Sequence, residues 1–251
     1  MTRTLVLIAG VGAGLAVFCF VLAAVVGGGA AFHGNWHRSW QVRNGSTISI
    51  GHVFTSDVDG GGPSETREIA WSGANSLGVD IPADITFTQA PGPGKLVITG
   101  PKGTVDQIEA SGSDLVYRDE PADAQRVKIT MTAPNVGSFS LSGDETLIIA
   151  GFSQDELALD ISGSGKITAQ GKARTVKIDV SGDGDADLGK LAAQEARVDI
   201  SGSGRTTIAP TDTADVDISG DGEVDLASRP VTVHSDVSGS GRIVQGSTTF
   251  Q

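Results

Sequence analysis

The chain has 251 residues, a formal net charge of −12 and one cysteine. Nucleic-acid binding needs a basic surface, so this charge argues against a nucleic-acid partner. A single cysteine excludes an internal disulfide framework and a multi-cysteine metal site. Hydrophobic residues make up 39% of the chain, which is too many for a disordered protein. The length then predicts one sizeable domain or two small ones.

Residues 1–32 are predicted to form a transmembrane anchor or an export signal. No charged residue occurs from Leu5 to Phe32, and the apolar run Leu5–Val26 is 22 residues long. A helix needs about 20 residues to cross a bilayer. The small residues Gly28 and Ala30 would permit cleavage after Ala30, whereas the length of the apolar run favours a retained anchor. Both alternatives stay open.

Residues 33–45 are interpreted as a juxtamembrane linker. Trp36 and Trp40 suit a membrane–water boundary, where the indole ring is apolar and its N–H reaches water. His33 and His37 are four residues apart, but a third metal ligand is missing, so the interfacial interpretation is preferred. We therefore expect the membrane as a partner of the N-terminal helix. The rest of the chain is predicted to lie in the cell envelope, anchored to the inner membrane with its domain in the periplasm or outside, or exported.

Residues 46–136 contain short alternating segments separated by turn signals. The predicted strands are Thr47–Phe54, Leu77–Ile81, Ile85–Thr88, Leu96–Thr99 and Val127–Thr132. A single helical turn is predicted at Val105–Glu109. Asp57 and Asp59 faintly resemble a calcium loop, although the later ligand positions are missing. We expect this region to cap the N-terminal end of a larger unit or to form its first irregular coils.

A repeat dominates residues 137–251. The tetrapeptide Ser-Gly-(Ser/Asp)-Gly begins at Ser162, Ser181, Ser201, Ser219 and Ser238, with spacings of 19, 20, 18 and 19 residues. A degenerate copy begins at Ser142 and carries Glu145 in place of the second glycine. Apolar and polar residues alternate before each serine, which predicts a strand with one buried face. In the last copy Ser235 interrupts the buried column.

This repeat predicts a parallel β-solenoid. Each copy is too short to bury its own apolar face, but stacked coils share one continuous core. The glycine pairs would break helices, which excludes a helical solenoid. No aromatic residue occurs from Ser153 to Thr249, so the core must be narrow and aliphatic. We predict an all-β fold, a parallel β-solenoid of about 19-residue coils, preceded by a single N-terminal transmembrane helix.

The chain resembles a known family. The Ser-Gly-Ser-Gly strands, the segment RVKITMTAP (Arg126–Pro134) and the segment LVITG (Leu96–Gly100) are similar to the putative auto-transporter adhesin head GIN domain. The resemblance spans Glu68 to Gln245. It implies a right-handed β-solenoid domain in a bacterial envelope protein, and it supplies no catalytic residues. The chain departs from the family at Glu145 and in its N-terminal anchor.

An aspartate lies two residues before the serine of every full repeat. The five residues are Asp160, Asp179, Asp199, Asp217 and Asp236. In a solenoid they would stack about 4.8 Å apart on the outer face, where like charges repel. One interpretation is that each carboxylate accepts hydrogen bonds from the N–H groups of its own turn, with Lys177 and Arg197 neutralising the column. The other is a row of weak Ca²⁺ sites, because this cation prefers oxygen ligands. No other cofactor is expected.

The charge alternates in sign four residues after each repeat serine. The residues are Lys166, Asp185, Arg205, Glu223 and Arg242. Stacked coils would turn this series into a ladder in which every charge has opposite neighbours. We expect the substitution Arg205→Glu to cost ~1–3 kcal/mol of stability at low salt.

The sequence offers little support for catalysis. Three of the four histidines precede Val53, and only His234 lies in the repeat. Residues 137–251 carry 18 acids and 9 bases and would repel an acidic polysaccharide. We therefore expect no enzyme, but an exported or membrane-anchored envelope protein with a structural or adhesin-like role and an envelope protein or a glycan as partner. The alternative is a carbohydrate-binding or polysaccharide-degrading β-helix protein.

Overall fold

The computed structural model of the chain describes residues 64–71 and 74–246. The predicted anchor 1–32, the linker 33–45 and the expected features of residues 46–63 lie outside these ranges. The described part contains no helix that is long and apolar enough to cross a membrane.

The described residues contain seventeen strands and one four-residue helix. The N-terminal elements are β1 (Ser64–Ala70), β2 (Ser76–Val79), β3 (Ala83–Gln89), β4 (Lys95–Pro101), α1 (Lys102–Val105), β5 (Ile108–Ser111), β6 (Asp114–Tyr117) and β7 (Val127–Ala133). The remaining strands are β8 (Ser138–Leu141), β9 (Thr146–Ser153), β10 (Glu156–Gly163), β11 (Lys166–Lys172), β12 (Thr175–Gly182), β13 (Asp185–Gly202), β14 (Arg205–Gly220), β15 (Glu223–Leu226), β16 (Thr232–Gly239) and β17 (Arg242–Gln245). The predicted helical turn is found a few residues earlier than expected, because Pro101 adopts φ −59° at its start and Ile108 already begins β5.

The repeat region folds as stacked parallel coils, which confirms the predicted solenoid. One row of strands runs from β8 through β10, β12, the second half of β13 and the second half of β14 to β16. A second row runs from β9 through β11, the first half of β13 and the first half of β14 to β15 and β17. Strands β2 and β3 join the same two rows by pairing in parallel with β8 and β9. All the parallel pairs of the first row keep residues of equal repeat position side by side.

The N-terminal end of the stack has a different construction. Strand β7 pairs in parallel with β3 on one edge and antiparallel with β4 on the other. Strand β1 adds antiparallel to β4, and β5 and β6 form an antiparallel hairpin. The parallel stack therefore passes into an antiparallel layer at this end.

The core changes from aromatic to aliphatic along the stack. Phe87 and Phe139 meet edge to face with ring centroids 5.0 Å apart, and Phe152 is also fully buried. Beyond them the buried columns consist of Leu, Ile, Val and Ala, as the lack of aromatic residues after Phe152 predicts. The inward column directly before the repeat serines comprises Leu141, Ile161, Val180, Ile200 and Ile218.

The two glycines of each repeat are required for different physical reasons. The first adopts positive φ, as at Gly182 with φ 130°, and a Cβ there would lie 2.6 Å from the carbonyl oxygen of Gly163 in the preceding coil. The second needs no positive φ. A Cβ at Gly204 would lie 2.6 Å from Cγ1 of Val180 and 2.9 Å from the carbonyl oxygen of Gly184. Both glycines let the coils approach, and the first also makes the turn.

The alternating charges lie in the predicted register, but only the C-terminal part of the ladder forms salt bridges. Lys166, Asp185, Arg205, Glu223 and Arg242 are consecutive partners in neighbouring strands. Glu223 binds Arg205 at 2.9 Å and Arg242 at 2.7 Å. Asp185 makes no salt bridge with either neighbour in the described structure, since its side chain is one methylene shorter than that of Glu223.

The second glycine predicts a stability difference between two alanine variants. Gly204→Ala should lower the free energy of unfolding of the full chain by ~1–3 kcal/mol, because the methyl group meets both a side chain and a carbonyl oxygen. Gly189→Ala in β13 is the control, since its nearest contacts would be at 3.4 Å. Denaturant unfolding measures both, and equal stability of the two variants would contradict a steric role of Gly204.

The charge ladder predicts a salt-dependent loss of stability for the variant Arg205→Glu. Arg205→Glu replaces an exposed salt bridge by repulsion from Glu223 and Asp185, which should cost about 1 kcal/mol at low salt and less at 1 M salt. This expectation is smaller than that from the alternating signs alone, because only one neighbour of Arg205 is bridged. Lys190→Glu is the control, since Lys190 lies beside Gln170 and has no salt bridge in the described residues. Thermal melting at both salt levels that is identical for the two variants would contradict the ladder.

Candidate functional site

The five aspartates predicted as a column lie side by side on one face of the solenoid. Consecutive strands pair Asp160 with Asp179, Asp179 with Asp199, Asp199 with Asp217, and Asp217 with Asp236. The repeat serines form a second column in the same strands, two residues further on. Strand alternation turns both columns outward, because the apolar residues between them are buried in the core in every coil before β16. We call the two columns together the acidic face.

Two of the five aspartates accept hydrogen bonds from their own serines rather than from their turns. The hydroxyl of Ser162 donates to Asp160 at 3.3 Å, and that of Ser181 donates to Asp179 at 3.5 Å. The N–H groups of the turns donate to the coil before them, as from Asp183 to the carbonyl of Gly163 at 2.9 Å. The interpretation that each carboxylate caps its own turn is therefore wrong. The turn N–H groups are already used in the ladder between coils.

Arg197 is the counter-ion at the centre of the acidic face. Its Nε lies 3.1 Å from Asp199, its Nη1 3.1 Å from Asp215 and its Nη2 3.3 Å from Asp217. The hydrogen bond to Asp199 is the main cause of the raised pKa of Arg197, and the three negative charges add to it. The expected role of Arg197 as a neutralising cation is thus confirmed. Lys177 instead binds Glu156 at 2.7 Å.

Asp217 lies where the carboxylates of the acidic face are crowded together. Loss of solvent around this half-exposed side chain raises its pKa, and the charges of Asp199 and Asp215 raise it further against the opposing effect of Arg197. A carboxyl group whose pKa is higher in the folded state favours folding below its unfolded pKa. This contribution is lost as the pH rises through the folded pKa. Arg197 therefore limits a repulsion that is largest at neutral pH.

The acidic face is shallow and polar. Part of it is a groove of about 560 Å³ lined by aspartates and serines of four successive coils. A neighbouring groove of about 320 Å³ includes Asp160, Lys177 and Arg197. No aromatic residue lines either groove. Such a surface can accept hydrogen bonds from hydroxyl or ammonium groups along its length.

A single row of carboxylates does not by itself enclose a cation. Among residues 64–71 and 74–246, no group of three or more His, Cys, Asp or Glu side chains has an arrangement that could hold a metal ion. Three acids do converge at Arg197, where the guanidinium takes the central position. The calcium interpretation of the column remains a prediction.

A second acidic site lies at the degenerate repeat. The sequence marks Glu145 there as a departure from the family but predicts no site. Glu145 replaces the second glycine and is 3% exposed, and its Oε2 accepts a hydrogen bond from the N–H of Gly143 at 2.9 Å. Burial raises the pKa of this carboxyl group. Glu145 lines a cleft of about 350 Å³ with Asp80, Tyr117 and Glu120. The replacement of a repeat glycine by an acid is the sequence signal that points to this cleft.

Tyr117 adds a second buried polar group to the cleft. Its hydroxyl is inaccessible to solvent and has no hydrogen-bond partner in the described part of the chain. Burial raises the pKa of Tyr117, and the charge of Glu120 raises it further. The phenol therefore stays protonated at neutral pH and can donate a hydrogen bond.

Comparison with known proteins supports the family resemblance. The sequence profile described as "Putative auto-transporter adhesin, head GIN domain" matches residues 75–230. A putative adhesin from Bacteroides fragilis is 21% identical, with a TM-score of 0.60 over 73% of this chain and 97% of that chain. No curated protein matches.

Two further solved structures are similar at lower scores. A putative lipid binding protein from Parabacteroides distasonis is 19% identical, with a TM-score of 0.45 over 75% of this chain and 98% of that chain. A putative adhesin from Parabacteroides merdae is 17% identical, with a TM-score of 0.47 over 75% of this chain and 98% of that chain. The likeness to the Bacteroides fragilis structure shows that the solenoid fold is shared.

The acidic face predicts how calcium acts on stability. In the wild-type full chain we expect no large change of melting temperature between millimolar calcium and a chelator, because Arg197 already neutralises the centre of the column. Arg197→Gln should melt lower than wild type at low salt, and calcium should raise its melting temperature, since a ligand of the native state stabilises it.

Arg174→Gln is the matched control, because Arg174 is exposed and forms no salt bridge within the described structure. Magnesium tests the specificity for the cation. Identical melting of Arg197→Gln and Arg174→Gln would mean that the guanidinium does not offset the repulsion. A large calcium shift in wild type would support calcium sites among the aspartates that Arg197 does not contact.

Proposed function

Since the chain belongs to the family of the putative auto-transporter adhesin head GIN domain, we propose that it is an adhesin-like surface-interaction protein of the bacterial cell envelope. Residues 1–32 would anchor it to the inner membrane or direct its export. The description of the family names adhesion and no reaction. The observation that carries the proposal is the acidic face, a regular array of outward carboxylates and hydroxyls on a continuous core.

A repeating face suits binding through many weak contacts. The strand spacing of about 4.8 Å holds the aspartates in a row, and the core below them is buried in the coils before β16. A partner with donors along its length can meet several coils at once. Each additional contact then acts at high effective concentration, so that weak contacts add to a useful affinity.

The chemistry of the face defines the partner. Asp and Ser oxygens accept hydrogen bonds, and the surplus of negative charge repels acidic polysaccharides. The proposed partner is therefore an envelope protein with a basic surface or a glycan without negative charge. The acid-lined groove also fits the alternative, a carbohydrate-binding or polysaccharide-degrading solenoid. Such proteins, however, usually offer an aromatic platform, which the groove does not have.

The test is capture of partners from envelope extracts and from a panel of neutral and basic glycans by the full chain. The double variant Asp160→Asn/Asp179→Asn should lose most of the captured material, because both carboxylates are exposed and neither is paired with Arg197. The double variant Asp185→Asn/Asp225→Asn removes the same charge from the other row of strands and should bind as wild type. Equal binding by all three proteins would overturn the acidic face as the binding surface. Release of shortened sugars would favour the degrading alternative.

A further inference from the structure

Within the described part of the chain, the last coil of the solenoid has an unpaired edge. Strand β16 pairs with β14 and strand β17 pairs with β15, and neither has a partner on its outer side among residues 64–71 and 74–246. Four of the five large apolar side chains that are exposed in these ranges lie in this coil. Val231 is 86% exposed, and Val233, Val237 and Val244 are 41%, 40% and 41% exposed. Unpaired N–H and C=O groups beside exposed apolar side chains form a template for another strand.

The opposite end of the stack shows which kind of strand such an edge accepts. Strand β7 is parallel to β3 on one side and antiparallel to β4 on the other. An antiparallel strand can thus follow a parallel stack in this fold. Strands β4 and β1 occupy the N-terminal edge with such a layer, whereas the described residues supply no equivalent layer for β16.

The apolar residues of β16 are placed symmetrically about Ser235, with His234 on one side and Asp236 on the other. The strand runs Val233-His234-Ser235-Asp236-Val237. When such a strand pairs antiparallel with its own copy about Ser235, each Val233 lies opposite Val237 and each His234 lies opposite Asp236. The imidazole N–H of His234 can donate to the carboxylate of Asp236, and the valines can cover each other on the core side.

We propose that a second copy of this chain binds the C-terminal edge of the solenoid through antiparallel pairing of β16 with β16. A two-fold axis relates the two copies, so the same patch serves on both sides and the assembly closes as a dimer. Two His234–Asp236 pairs and two Val233–Val237 pairs form by symmetry. The serines meet on the axis at the position where earlier coils bury Leu159, Ile178, Val198 and Val216, and their small size lets the two backbones pair.

The charge pair provides a test of register. The full chain is examined by sedimentation in one non-denaturing detergent, and we expect a dimer for the wild type. His234→Asp sets two aspartates opposite two aspartates and should weaken the dimer roughly tenfold. The double variant His234→Asp/Asp236→His exchanges the two partners and should restore dimerisation. A dimer that is insensitive to both variants, or a wild type that stays monomeric at all concentrations, would overturn the proposal.

Cross-linking tests the position of the axis. Opposite Cα atoms in an antiparallel pair are about 4.5–5.5 Å apart, which a disulfide can span. In a Cys19→Ser background, Ser235→Cys should form a covalent dimer under oxidation. Ser201 is exposed in the interior of the repeat, and Ser201→Cys should not form a covalent dimer. Equal cross-linking at both positions would contradict the axis. A monomer that dimerises only after residues 247–251 are removed would show that this segment covers the edge, and would also overturn the proposal.

Discussion

The hydrogen-bond ladder between successive coils is the constraint on which the rest of the structure depends. At each turn the carbonyl of one coil's first glycine accepts an N–H from the next coil, as Gly163 accepts from Asp183 and Gly182 accepts from Ser203, both at 2.9 Å. The approach is so close that a side chain at either glycine would strike the neighbouring coil. Register, coil spacing and the alignment of all outward columns follow from this contact. The solenoid is therefore most sensitive to change at its turns.

Strict register has an electrostatic cost, because a repeat stacks like side chains upon one another. The structure offsets this cost in two ways. Arg197 reaches three carboxylates of its own and the next coil, and Glu223 lies between Arg205 and Arg242. These contacts are exposed and individually weak, so the continuous apolar core provides most of the stabilisation. Carboxylates without a salt bridge among the described residues, such as Asp160 and Asp179, connect the fold to the proposed surface interaction.

The sites of interest lie where the repeat is regular on its outside or broken at its ends. The acidic face needs several identical coils. Glu145 occupies a position where the other repeats have glycine, and it is buried and lines a cleft with residues of the N-terminal region. Ser235 replaces an inward apolar residue in the last coil, where the stack meets solvent. Departures from the repeat thus indicate the two ends of the solenoid.

Most of the repeat region was determined by sequence alone. The spacing of Ser162, Ser181 and Ser201, with apolar residues at alternate positions before them, predicted the parallel coils, the aliphatic core and the alignment of the five aspartates. Such features depend on local periodicity, and stacking identical units leaves one register. The strands Leu77–Ile81, Leu96–Thr99 and Val127–Thr132 were also predicted to within a few residues.

Tertiary structure decided how the non-repeating strands pair and where each polar side chain bonds. Strands β1 and β4 bring Ser64 opposite Pro101, and no period in the sequence signals an antiparallel pair of this kind. Lys177 binds Glu156 rather than the aspartate column. Asp160 and Asp179 bind serines rather than turn N–H groups, since the ladder between coils uses those donors. Pairing between distant strands and competition for hydrogen-bond partners depend on which atoms meet in three dimensions, and a pattern of residue types along the chain does not contain that information.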